Sequence, residues 1–237
     1  NYFREGNEFM SKVNNVLAET ILEVWNVSDA INMAVGLDTS SEDQLEHQKN
    51  VAFSEYKEGM LAIFENNETE KYDALIDLHV TVPTCLMMYS GNKDLLLEAP
   101  RGINLQGKGF NELLHLSQEA FLEEKEGSAK RYIDAVDYLV DATMSVDLDV
   151  NKVISYAKAV NKSNISKFPV VGTVDPELEC DKIELKGRYD EVYFEEGELL
   201  GDKVYIFKSK YDKQTKEHFA NGKYLKPSTF IDVQDLL

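Results

Sequence analysis

Residues 10–34 read MSKVNNVLAETILEVWNVSDAINMA, with apolar side chains at Met10, Val13, Leu17, Ile21, Val24, Val27, Ile31 and Ala34. Every step is three or four, the spacing of one face of an α-helix. The pattern predicts an amphipathic helix of about seven turns whose near-heptad seam is made for another helix. Gly36 and the polar run 38–41 end it. Thr39 or Ser41 is then placed to cap a second helix, whose acidic first turn, Glu42 and Asp43, suits the positive end of the helix dipole.

The same period continues beyond this stretch. Leu45, Ala52, Tyr56, Met60, Ile63 and Phe64 share one side of the second helix, which the Glu65-Asn66-Asn67 turn closes. A third helix starts near Glu68, with Tyr72, Leu75, Ile76 and residues 86–88 as core candidates. Pro83 is expected to kink or interrupt it, because proline lacks the backbone donor and collides with the carbonyl four residues earlier. Residues 91–109 hold four glycines and a proline and read as a long connection, a kind of segment that often carries function. A fourth helix is expected from Asn111 through Leu114, Phe121, Ile133, Val136, Leu139, Val140 and Met144, with a break at Gly127-Ser128. A short fifth helix follows over 150–160. Complementary stripes joined by short connections predict an antiparallel four-helix-type bundle over residues 1–160.

After Asn161 the period falls to two. Residues 183–188, 191–194 and 203–208 read as strands, with Val192 and Phe194 facing away from Tyr193, and Val204 and Ile206 alternating with Tyr205 and Phe207. Glu195-Glu196-Gly197 reads as a turn and 230–233 as a closing strand. Residues 161–237 are therefore expected to form a small β-rich module that leans on the bundle because its own core is thin. The predicted fold class is α+β.

Composition limits the function classes. The chain has 237 residues, 25 Lys plus Arg against 43 Asp plus Glu and a net charge of −18. Such a field repels phosphate backbones and anionic headgroups, so no nucleic acid partner is expected. No apolar run reaches the ~18 to 20 residues of a membrane span, so a soluble chain is expected. Only Cys85 and Cys180 are present, outside any C-x-x-C pair. One bridge or two separate thiols are both compatible with that count, and redox or zinc chemistry has no support. The sequence opens at Asn1 without an initiator Met or a signal-like apolar core, and is expected to be a processed or truncated form from an extracytoplasmic or surface-associated setting.

Several constellations resemble chemistry and then fall short of it. Glu112-x-x-His115 has the spacing with which a bundle helix offers two ligands to a dinuclear metal centre. A second such pair is missing, since Gln44 stands where Glu is needed before His47, and Leu113, Leu114 and Phe121 turn Glu112, Glu119 and Glu123 to the wet face. Asp147-x-Asp149-x-Asn151 copies the opening of a calcium loop, but Lys152 and Lys158 occupy the positions of the required Gly and Glu, so the aspartates are expected to cap a helix. Gly107-x-Gly109 lacks the third glycine of a phosphate cradle. His47, His79, His115 and His218 lie in no nucleophile motif, and no cofactor is expected. Four Asn-x-Ser/Thr sites, at Asn26, Asn67, Asn161 and Asn164, are expected by chance, and Asn26 sits mid-helix. Trp25, the only tryptophan, reads as a core filler.

The expected function is that of a non-enzymatic interaction or scaffold protein with a protein partner. Its candidate contact residues are Tyr189, Tyr193, Tyr205, Tyr211 and Tyr224 in the C-terminal module, whose amphipathic rings suit contact surfaces, together with Arg101 in the 91–109 connection. The alternatives are a metal-binding bundle enzyme or carrier built on Glu112 and His115, and an extracytoplasmic ligand-sensing domain.

Overall fold

The computed structural model describes residues 2–38, 40–91, 108–123 and 129–237, and the side chains of all of these except 2–15. The fold is α+β. Helices α1 (Tyr2–Ala34), α2 (Glu42–Glu65), α3 (Glu68–Ser90), α4 (Phe110–Leu122), α5 (Lys130–Thr143), α6 (Val150–Ile165) and α7 (Pro176–Leu185) precede strands β1 (Tyr189–Leu199), β2 (Asp202–Asp212) and β3 (Glu217–Tyr224). The strands form an antiparallel sheet in the order β1-β2-β3. Backbone proximity divides the chain into two compact units: residues 1–28 with 38–160, and residues 29–37 with 161–237.

In the helical unit the predicted seam of α1 is buried at Leu17, Ile21, Val24 and Val27. Ser41 caps α2, its hydroxyl accepting from the Gln44 N–H at 3.3 Å. Asn66 ends α2 in the left-handed region at φ 54°, and the Asn67 side chain starts α3 by accepting from the Glu70 N–H. Two residues thus stop one helix and cap the next, so α3 folds back on α2. α4 packs on α2 and α5, and α3 packs on α2 and α5. Tyr56, Leu75, Phe110, Tyr132 and Leu139 fill the space between them, each less than 2% exposed.

Two helical expectations need amendment. Pro83 does not end α3, which continues to Ser90. Residues 81–88 are all buried, and packing on every side outweighs the one ladder bond that proline removes. The single helix read from Asn111 to Met144 is two, α4 and α5. Its expected break at Gly127-Ser128 falls outside the described residues.

The sheet unit departs further from expectation. Residues 183–188 are not a strand, because Asp175 caps α7 by accepting from the Leu178 N–H at 3.2 Å and Pro176 occupies its first turn. That start signal overrides the local β preference of Ile183 and Leu185. The expected turn at Glu195-Glu196-Gly197 is continuous strand. The chain instead reverses at Leu200 and Gly201, at φ 54° and 91°, the left-handed pair that a two-residue hairpin demands. Gly197 serves close approach, since a Cβ there would lie 2.6 Å from Ile206 Cδ1. The third strand is β3, and residues 230–233 lead into a short 3-10 turn, Val233–Asp235.

β2 is buried on both faces from Val204 to Ser209. β1 runs along one side of it. On the other, β3 pairs with residues 208–212, the Leu225 N–H bonds Phe207 O at 2.8 Å, and residues 169–171 bond Lys203 and Tyr205, each at 2.9 Å. A strand so enclosed needs a continuous apolar run, and Val204-Tyr205-Ile206-Phe207 supplies it. Tyr205, Phe207 and Leu225 form one core with Cys180 and Ile183 of α7, flanked by Val192 and Phe194 as their alternation predicted.

Candidate functional site

Sheet register divides the five candidate tyrosines. Tyr193 lies opposite Lys208, and Lys208 opposite Tyr224, so the three form one rung across all strands on one face. Lys208 Nζ donates to Glu195 Oε2 at 2.6 Å, and Lys210 Nζ stands 5.7 Å from the Tyr193 ring centroid. Tyr224 is 41% exposed and adjoins Phe168, with 5.9 Å between centroids. Gly222, at φ 74°, makes room for this rung, because a Cβ there would come within 2.3 Å of Tyr193 Oη. Tyr205 does not belong to a contact surface: it is 8% exposed and part of the core under α7. Tyr189 is half-buried against that core, with Arg188 and Lys223 cations 5.0 and 5.9 Å from its ring. Tyr211 is half-buried beside His218 at 4.4 Å. Arg101 lies outside the described residues.

Two buried carboxylates fasten this unit. Asp212 accepts from Arg188 Nε and Nη2 at 3.1 and 2.9 Å and from the N–H groups of Gln214 and Thr215. The Arg188 bond, with help from the two backbone donors, holds its pKa below the ordinary carboxylate value. Glu179, 1% exposed, accepts from the Ser228 N–H and hydroxyl at 2.5 and 2.7 Å and from Lys182 Nζ at 3.3 Å. Burial pushes its pKa up, but the Ser228 and Lys182 bonds together bring it below the ordinary value.

The residues of the metal-like motifs make other contacts. Glu112 pairs with Lys108 on the exposed side of α4, and His115, also exposed, lies 3.4 Å from Glu119. Asp149 accepts from the N–H groups of Asn151 and Lys152 and so caps α6. Asp147 accepts the Phe110 N–H with both carboxylate oxygens, at 2.9 and 3.0 Å, and caps α4 from across the unit. Both aspartates act as helix caps, and Gly109 leaves space for Asp147. Among the described residues, no three His, Cys, Asp or Glu side chains converge as metal ligands would. Of the Asn-x-Ser/Thr sites, Asn26 is exposed on α1, Asn67 is a helix cap, Asn161 is buried and Asn164 bonds Lys167.

A buried polar layer in the helical unit was not anticipated from the sequence. Trp25 Nε1 of α1 donates to His79 Nδ1 of α3 at 3.2 Å, and His79 Nε2 lies 2.7 Å from Thr143 Oγ1 of α5. An indole N–H only donates, so Nδ1 must be bare and the ring proton sits on Nε2. Nε2–H then donates to Thr143, whose hydroxyl passes its own proton to Leu139 O at 2.8 Å. His79 has no exposure, and burial lowers its pKa to about 3. One turn further along α1, the Ser28 hydroxyl donates to Val80 O at 3.3 Å. The core also holds a Tyr56–Ser117–Ala135 O chain, with both links under 2.8 Å. The signal available for the layer was a lone histidine four residues before Pro83.

Three carboxylates of the helical unit move the other way. Burial, then the charges of Asp134 and Asp141, raises the Asp137 pKa to about 7, and its Oδ1 is buried with no hydrogen-bond partner among the described residues. Burial alone raises Asp141 to about 6. Burial, then Asp77, Glu58 and Asp73, raises Glu55 to about 8. Cys85 and Cys180 are free buried thiols, pushed up by burial to about 12 and about 11.

Comparison of the chain with protein-family models, curated proteins and solved structures gave no match. Among the described residues, no helix is long and apolar enough to cross a membrane.

Proposed function

We propose that this chain is a non-enzymatic interaction protein in which residues 1–160, an antiparallel four-helix-type bundle, serve as a rigid frame and residues 161–237 meet a protein partner in an extracytoplasmic or surface-associated setting. The rung Tyr193–Lys208–Tyr224 carries this reading. It offers the half-buried ring of Tyr193 and the exposed ring of Tyr224 on either side of Lys208, which is itself buried and spaces them, and such amphipathic rings give large contact area at little entropic cost. Tyr189 and Tyr205 are turned to the core under α7 and stand outside it.

A photo-crosslinking residue placed at Tyr224 tests the proposal in extracts of the source cells. One specific adduct is expected, and it should disappear when Tyr193 is changed to Ala in the same chain. An adduct unaffected by Tyr193→Ala would show that the rung is not the contact surface.

A further inference from the structure

We propose that Trp25, His79 and Thr143 form an acid-sensitive latch, in which protonation of His79 at Nδ1 frees α1 from α3 while leaving the tie between α3 and α5 in place. The asymmetry comes from the tautomer. Nδ1 is the acceptor of the Trp25 indole N–H, whereas Nε2 already carries a proton and donates to Thr143. An added proton on Nδ1 sets two donors face to face at the α1 side and places a charge in a core with no exposure. At the α5 side the donor and acceptor roles are unchanged.

The latch sits where α3 is weakest in its own ladder. Pro83 has no N–H to offer the carbonyl of His79, four residues earlier. The Val80 carbonyl in the same turn accepts from the hydroxyls of Ser28 and Thr84, at 3.3 and 2.8 Å. The ties from Trp25 and Ser28 of α1 therefore land on one turn of α3, before the proline. The side chains that bond the imidazole are Trp25 from α1 and Thr143 from α5. Burial is the one cause of its lowered pKa, with no charged neighbour contributing. The latch stays shut across neutral pH and opens only in strong acid.

Trp25 is the chain's only tryptophan and reports the event directly. Indole emission and far-ultraviolet circular dichroism are followed together as the full chain is taken from pH 7 to pH 2. A red shift of emission is expected at a higher pH than the loss of helical signal. In His79→Gln, whose amide accepts from Trp25 and donates to Thr143 without titrating, that separate step is expected to vanish. Coincident emission and helix loss in the unaltered protein, or an unchanged emission step in His79→Gln, would overturn the latch. Should His79→Gln fail to fold, nuclear magnetic resonance of the unaltered protein decides. A bare Nδ1 at pH 7, protonating together with a shift of the single indole N–H resonance, supports the latch, and an Nδ1 that carries the proton at pH 7 refutes it.

Discussion

Asp212 in the sheet unit and Asp137 in the helical unit are both buried aspartates, yet their pKa values move in opposite directions. Asp212 gathers an arginine and two backbone N–H groups and stays ionised more readily than a free aspartate. Asp137 faces Asp134 and Asp141 along its own helix, keeps one oxygen without a donor among the described residues, and has its pKa raised to about 7. Burial alone therefore does not decide how a carboxylate behaves. The number of donors that the local fold can turn toward it does. Strands and tight turns leave spare N–H groups for side chains, whereas a helix uses its own internally beyond the first turn.

Four substitutions probe this contrast. The largest effect is expected for Glu179→Ala, which removes a buried carboxylate together with the bonds it accepts from Ser228 and Lys182, and should cost about 1–3 kcal/mol in denaturant unfolding at pH 7. Because the folded pKa of Glu179 lies below its ordinary 4.5, its contribution is present above that value and is lost as pH falls through the folded pKa, so the mutant penalty should fade in acid. A penalty independent of pH would place the loss in packing.

Asp137→Asn is expected to act in the opposite sense, stabilising the helical unit by about 1–2 kcal/mol at pH 8. Its folded pKa of about 7 lies above the ordinary 3.8, so ionisation penalises the folded state fully above about pH 7 and not at all well below pH 3.8. The gain should shrink steadily between about pH 7 and pH 4, and the unaltered protein should itself become more stable over the first part of that descent. A destabilising Asp137→Asn would mean that the carboxylate has a donor after all.

Gly222→Ala should cost about 1 kcal/mol or somewhat more, from left-handed backbone and the collision with Tyr193 Oη, and tyrosine fluorescence should register the displaced ring. Least of all is expected from Lys152→Ala. Its pairing with Glu68 lies on the surface, and the unfolding midpoint should move no further than measurement error.

Much of the helical unit was legible in the sequence because its signals are local and redundant. The stripe from Leu17 to Val27 and the caps Ser41, Asn66 and Asn67 each act within a turn or two of chain. The sheet was harder to read, since what defines β2 is what encloses it. Residues 169–171 and Leu225 are remote from it in sequence, and they turn an alternating expectation into a strand buried on both faces. The same remoteness hid the division of the tyrosines, which depends on register. Glu195-Glu196-Gly197 misled because glycine was read as a reversal, when Ile206 packed over it is what requires the missing side chain. The role of His79 is hidden in the sequence because its partners, Trp25 and Thr143, lie on two other helices.

The enclosure of β2 bears on the order in which the chain becomes safe from aggregation. Its hairpin with β1 closes through only Leu200 and Gly201 and should form within microseconds. The bonds to residues 169–171 span about thirty residues and carry a larger loop-closure cost, so they come later. In the interval, a newly made chain shows the unguarded side of Val204-Tyr205-Ile206-Phe207, a short apolar segment without proline or charge, to other copies of itself. Refolding yield should therefore fall with protein concentration, and synthesis halted before Leu225 should leave the segment open to sticking.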